Sequence, residues 1–416
     1  MASAVEPARA PGGARAAWSL LRRERDFRRL YLASVISLGG DWFLIVALFA
    51  LMLNLTDSPL AIGAIIAVQD LTYFALSPIA GALADRLDRR VLMVVADLGR
   101  MVLVLGFLLV RSPETVWIAY VLLAGVATLA ATFEPASAAA LPNLVEREDL
   151  GIANALSGSL WGTMLAIGAA VGGVVTAAFG RDVAIVVDAV SFAVSATLIA
   201  GVRRPLTLER AEHASIREAT LETVRYARRD HRVLALIMVK FGWGLGGGVL
   251  VLIPIVAARF GAGEVAIGLL MAARGIGALV GPFAGRAAVG AGERRLFGVI
   301  GIALAVFGLG YGLLGLAPSI ALAMASVALA HVGGGAQWTL SSYGLQKIVP
   351  DRIRGRIFAF DGMLVTLTFG LSSLATGWLA ERYGASTTAL AMGAITLAWA
   401  AGWSWMTSDV RRRPLV

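Results

Sequence analysis

The sequence predicts an all-α integral membrane protein of twelve transmembrane helices, arranged as two pseudo-symmetric six-helix bundles. Three observations predict it: an excess of apolar residues, a series of apolar runs long enough to cross a bilayer, and an echo between the two halves. Of the 416 residues 58% are apolar and 48 more are glycine, while 15% are charged. A typical soluble domain is roughly 45–50% apolar with glycine included, and about 25% charged. A water-soluble chain could hide this much apolar side chain only by leaving large patches exposed. Disorder is excluded by the same arithmetic. The chain has no cysteine, so disulfides, zinc-thiolate sites and cysteine nucleophiles are excluded as well.

A helix rising about 1.5 Å per residue needs about 20 apolar residues to cross a core roughly 30 Å thick. Such runs lie near 30–52, 60–83, 91–110, 116–140, 152–179, 183–202, 233–258, 265–285, 296–316, 319–345, 357–380 and 385–406. Proline, glycine and charge clusters interrupt them, as helix ends require. Continuous runs argue against a barrel, whose strands alternate in about ten-residue segments. The stretch before the first run carries no cleavable signal, so that run reads as a retained anchor.

With the N-terminus placed in the cytoplasm, 29 arginines and lysines fall in cytoplasmic segments and 4 on the other side. Lys and Arg accumulate on the cytoplasmic side of short loops, so both termini are expected there, in an inner (plasma) membrane. The net charge of +9, carried by 34 Arg and 2 Lys, then belongs to cytoplasmic loops and not to a nucleic-acid site. The expected organisation is a cytoplasmic segment 1–29, a first bundle 30–202, a central cytoplasmic loop 203–232, a second bundle 233–406 and a tail 407–416. In the central loop Ile216, Ala219, Val224 and Ala227 fit one face of a surface helix beside anionic headgroups; a solvated connector fits equally. Gly81-Ala82-Leu83-Ala84-Asp85-Arg86 after span two is echoed by Gly281-Pro282-Phe283-Ala284-Gly285-Arg286 after span eight. Arginine pairs follow at Arg89-Arg90 and Arg294-Arg295. Such internal duplication points to transporters.

The loop Gly81-x-x-x-Asp85-Arg86-x-x-Arg89-Arg90 resembles the signature loop of the major facilitator superfamily, and the six-plus-six layout is similar over nearly the whole chain. Leu87 and Asp88 stand in the turn where that pattern carries glycine, and Asp is the better tolerated there in turn and left-handed conformations. Gly40-Asp41-Trp42, Phe133-Glu134-Pro135-Ala136, Leu141-Pro142-Asn143-Leu144-Val145 with Ala153-Asn154-Ala155, and Val349-Pro350-Asp351 through Gly355-Arg356 resemble the bacterial exporter branch that includes macrolide efflux proteins and the enterobactin exporter. In Gly168-Ala169-Ala170-Val171-Gly172-Gly173 the glycines of the drug–proton antiporter element fit, and its proline is absent. The resemblance implies alternating access. It further implies a conformational latch at Gly81, Asp85, Arg86, Arg89 and Arg90 that joins the halves in the outward-facing state, facing Arg356 to Asp361.

Asp41, Asp70, Asp97, Arg100, Glu134, Asp188, Lys240 and Arg274 fall inside predicted spans. At about 2.5–3.5 kcal/mol per charge near a helix centre, exposing all of them to lipid would cost over roughly 20 kcal/mol, more than most folds possess. They must face the bundle interior, pair or be neutralised. Asp41, after Gly39-Gly40 where the helix is expected to loosen, is the leading candidate for a proton-coupling group. Asp97 and Arg100, spaced i,i+3, suit either a static ion pair or coupling. Glu134, beside Pro135, suits a proton site, a cationic-substrate site or a structural role. Lys240 and Arg274 suit pairing with first-half acids across a cavity, or an anionic substrate group. Asp70 and Asp188 rank lower, and Asp188 is expected to be hydrated near the outer interface. Trp42, Trp161, Trp243 and Trp338 are candidates for stacking on an aromatic substrate.

Gly242-x-Gly244-x-x-Gly247 spells a dinucleotide fingerprint but lies in an apolar span without a preceding strand, so tight helix contact is expected instead. There is no Walker A sequence, and His213, His231 and His331 are too scattered for a metal site. No cofactor or catalytic constellation is expected. The sequence therefore reads as a monomeric secondary transporter that exports a small amphipathic compound, driven by protons, with lipids as its other partners. Import or facilitated movement of a metabolite or lipid is the alternative within transport, and a membrane sensor or scaffold the alternative outside it.

Overall fold

The structure, a computed structural model, describes residues 13–206, 216–261, 263–290 and 295–409, with backbone alone at 78, 81–82, 84–86, 216–221 and 352. Among these residues there is helix and no strand. The spans are Arg25–Thr56, Pro59–Arg86, Arg89–Gly106, Val116–Ala140, Leu150–Phe179, Arg181–Ala200, His231–Arg259, Gly263–Val289, Leu296–Leu316, Ile320–Ile348 and Asp351–Met406. The last runs for 56 residues and turns at Gly384, whose φ of 78° only glycine adopts readily. At about 1.5 Å per residue that length is far too great for one crossing of a roughly 30 Å core. It supplies spans eleven (351–383) and twelve (385–406), which makes twelve.

Local chemistry sets the ends. Ser58, just before Pro59, accepts from the Ala61 N–H, and Ser319 from Leu322. Asp88 accepts from the Arg90 and Val91 amides at 2.9 and 3.1 Å. Its φ is −63°, so Asp88 serves the turn as an N-cap and not through a left-handed conformation. Span one, expected to loosen at Gly39-Gly40, stays helical throughout. Gly40 provides space instead: a Cβ there would collide with Asp188 and Ser191 of span six.

The two bundles repeat one packing scheme. Span one packs on spans five and six, span two on four, and span three on four and six. The same relations hold six spans later, with seven on eleven and twelve, eight on ten, and nine on ten and twelve. The halves meet along two seams, span two against eleven and span five against eight. These seams close through small residues, which lets backbones approach in a medium offering no hydrophobic drive between helices. Gly63 lies on Ser373, Gly377 on Pro59 and Leu60, and Gly173 on Gly268. All three contacts lie toward the end where Ser58 donates to Glu381. Toward the opposite, arginine-rich end, Gly158 and Gly362 meet nothing within 4 Å.

Two further helices flank that arginine-rich end. Gly13–Arg23 packs on spans one and five and is held there by an ion pair from Arg23 to Asp149. Ile216–Arg229 docks on span eleven, with Thr223 and Ala227 buried and Glu222 paired to Arg356 at 2.7 Å. The described part of the central segment is thus a helix docked on span eleven, which fits the surface-helix alternative better than the solvated connector.

Candidate functional site

Between the halves lies a cavity of about 710 Å³, within the roughly 300–1,000 Å³ range of small-molecule sites. The first half contributes Asp41 and Trp42 from span one, Gln69, Asp70 and Tyr73 from span two, Glu134 from span four and Trp161 from span five. The second half contributes Trp243, Arg274, His331, Trp338 and Phe369. All four tryptophans singled out above therefore face one space.

Behind the first-half wall sits Arg100, 3% exposed and paired to Asp97. Its guanidinium lies over Phe133 at 4.8 Å and Phe192 at 4.3 Å. Arg100 also acts electrostatically on Asp41, Glu134 and Asp188. Four carboxylates thus lie within the field of one guanidinium. Asp97 and Asp188 are buried, while Asp41 is half-buried and Glu134 exposed where they meet the cavity, and protons or a bound cation would offset the formal surplus of negative charge. Asp188 is fully buried and accepts from Ser191 at 3.3 Å. That overturns the expectation of a hydrated interfacial residue, because close packing of spans one and six at Gly40 leaves no room for water.

Lys240 does not reach the cavity or a first-half acid. It is 1% exposed and pairs with Asp361 of span eleven, within its own half, and donates to Ser342 at 2.9 Å. Trp338 and Phe358 cover it at 4.7 and 5.8 Å. The residues Gly242, Gly244 and Gly247 pack against Trp399, Thr368 and Phe369, so the fingerprint spelling is helix contact. Arg274 does reach across: its guanidinium lies over Trp42 at 5.7 Å and Trp161 at 5.1 Å, both on the first half.

Of the expected latch, Gly81, Asp85 and Arg86 are described in backbone alone, and Arg294 of the echo lies outside the described residues. Arg89 donates to the carbonyls of Ala139 and Leu206, at 2.9 and 3.0 Å, and Arg90 to that of Arg204 at 3.0 Å. These bonds tie the start of span three to its own half. Arg356 and Asp361, expected to face the latch, are here engaged by Glu222 and Lys240.

Three cavity or core groups were missed or ranked low. Asp70 lines the cavity with Ile66, Gln69 and Tyr73. Their spacing of i, i+3, i+4 and i+7 marks one helix face, and its polar members Gln69, Asp70 and Tyr73 stand out in an otherwise apolar helix. His331 bonds Tyr311 at 2.7 Å across spans ten and nine, and Asp361 answers Lys240 from 121 residues away. No local pattern marks either. Among the described residues no cluster suits a metal ion.

Two pseudo-symmetric six-helix bundles around a central cavity with charged walls define a multi-pass membrane transporter of the major facilitator type. Within that superfamily the chain belongs to the transmembrane secretion effector family, whose pattern matches residues 15–411. It is 26% identical over 405 residues to the uncharacterized MFS-type transporter YfiS of Bacillus subtilis (strain 168), covering 91% of this chain and 92% of that one. It is 25% identical over 355 residues to the "Putative bacilysin exporter BacE" of Bacillus amyloliquefaciens, covering 83% and 86%. Among solved structures, a bacterial homologue of the human lysosomal transporter Spinster, inward-facing and unoccupied, superposes with a TM-score of 0.74. That match covers 92% of this chain and 97% of the other at 14% identity, so it speaks for the fold alone.

Proposed function

We propose that the protein is a proton-coupled exporter of small amphipathic compounds, working by alternating access in a bacterial inner membrane with both termini cytoplasmic. The observation that carries this reading is the group of four carboxylates around Arg100, two of which, Asp41 and Glu134, open onto the cavity. A surplus of acids inside the spans, two buried and two open to the cavity, suits a site that exchanges protons for a substrate. The exporter's name borne by a relative of similar length supports the direction. The count of 29 arginines and lysines against 4 supports the orientation.

The test is a whole-cell accumulation screen across dyes, antibiotics and siderophores, with and without a protonophore. Expressing cells should retain less of at least one amphipathic compound than empty cells, and the protonophore should erase the difference. Higher retention would mean import, and a difference that survives the protonophore would remove proton coupling.

Under the same reading Asp85 and Arg86 latch the halves when the cavity faces outward. A carboxylate facing a helix N-terminus, here the start of span eleven, is worth about 0.3–1 kcal/mol, a roughly two- to fivefold bias between two states. Asp85→Asn should shift that balance and slow transport without unfolding the protein. Cysteines placed on the outer rim of this cysteine-free chain would read the shift by labelling. Unchanged labelling and rate would reduce Asp85 to a charge that sets topology.

A further inference from the structure

Among the described residues the second half places one cation, Arg274, on the cavity wall, and its surroundings specify what it is built to hold. Arg274 is 6% exposed and lines the cavity. Among the described residues it has no ion-pair partner within 4 Å, and its Nε has no hydrogen-bond partner. Trp42 and Trp161 lie against its guanidinium, with their rings 78° to one another. Charged and titratable groups that act on it from the packed elements are Asp70 of span two, Tyr311 of span nine and His331 of span ten. Tyr311 and His331 are bonded to each other. Asp70 belongs to the opposite half and makes no hydrogen bond or ion pair with it.

A buried guanidinium without a bound counter-ion is costly to maintain. Aromatic faces stabilise its charge but satisfy none of its five N–H donors. Those donors form a planar fork matched to a carboxylate. Beside it the wall changes character: Trp243 lies 5.4 Å from Trp338 and 5.6 Å from Phe369, centroid to centroid. That surface suits a flat apolar body.

We propose that Arg274 is the anion-recognition residue of the cavity, and that the transported compounds are amphipathic acids whose carboxylate pairs with Arg274 while the apolar part lies on the Trp243 cluster. This rests on the transport reading above and narrows its substrate class. Asp70, facing the same cation from the other half, competes with the ligand for it. The carboxylate must therefore displace Asp70's influence to bind.

The probes are 1-naphthylacetic acid and 1-naphthylacetamide, alike in shape and different in charge. Each is equilibrated by dialysis against the purified full-length protein in detergent, with bound ligand read by naphthalene fluorescence. The acid should bind at least tenfold more tightly than the amide. Arg274→Gln should remove the preference, Arg274→Lys should keep part of it, and Asp70→Asn should tighten the acid severalfold while leaving the amide unchanged. Equal affinity for the pair, no measurable binding of either, or a preference that survives Arg274→Gln would each overturn the inference. The wild-type comparison needs no variant to fold. No proton gradient is present, so failure of proton-driven export and failure of acid recognition appear in different experiments.

Discussion

Asp41→Asn should abolish accumulation against a gradient while leaving substrate binding and passive exchange in place. Asn has the shape of the protonated acid and cannot release a proton, so the variant is held in one of the two states that a coupled cycle must alternate. The position suits the role. Asp41 opens on the cavity and feels Arg100 and Asp97 behind it. Its neighbour Trp42 lies against Arg274 of the other half. A change of charge at residue 41 is therefore one residue from a contact that bridges the halves, which is what joining a proton to a conformational step requires. In liposomes with an imposed pH gradient the variant should bring substrate to equal concentrations on both sides and no further. Glu134→Gln and Asp97→Asn serve as controls: Glu134 shares the cavity, whereas Asp97 is fully buried in its pair with Arg100. Uphill transport by Asp41→Asn at the normal rate would move the coupling role to one of these acids.

The largest expected effect on stability is at Lys240. Removing one partner of a buried pair leaves an uncompensated charge and costs about 3–5 kcal/mol, whereas replacing both partners with apolar groups of similar size is often neutral. Lys240→Met should strand Asp361, 3% exposed, whose Oδ1 already has no hydrogen-bond partner. It should lower the thermal midpoint strongly in detergent. Lys240→Met combined with Asp361→Leu should recover most of that loss and retain transport, because the pair joins spans seven and eleven of one half and does not touch the cavity. A double variant that is stable yet inactive would show that the pair takes part in the transport cycle.

The fold was legible because the bilayer imposes it. A 30 Å apolar slab admits few arrangements of a chain this apolar, and length, hydropathy and loop charge suffice to recover the spans. Intramembrane charge likewise marked Asp41, Glu134 and Arg274 as inward-facing, since lipid exposure is costly. What those charges face was not legible. Asp97 and Arg100 sit three residues apart, so helix geometry alone foretold that they could meet. Lys240 and Asp361 belong to different spans, and nothing in the order of residues says which helices touch or at what height.

The sequence by itself thus determined that this is a twelve-span, arginine-rich transporter chain with a duplicated plan, because burial in lipid and loop charge are local properties summed along the chain. Only the tertiary structure decided that Lys240 is spent on a pair inside its own half, that Asp188 is sealed beneath Gly40, and that Arg274 crosses to the tryptophans of the first half. Such pairings depend on how close two helices come and how they are rotated. Small side chains such as Gly40, Gly173 and Gly268 set that approach, and their consequence appears only when the opposing helix is in place.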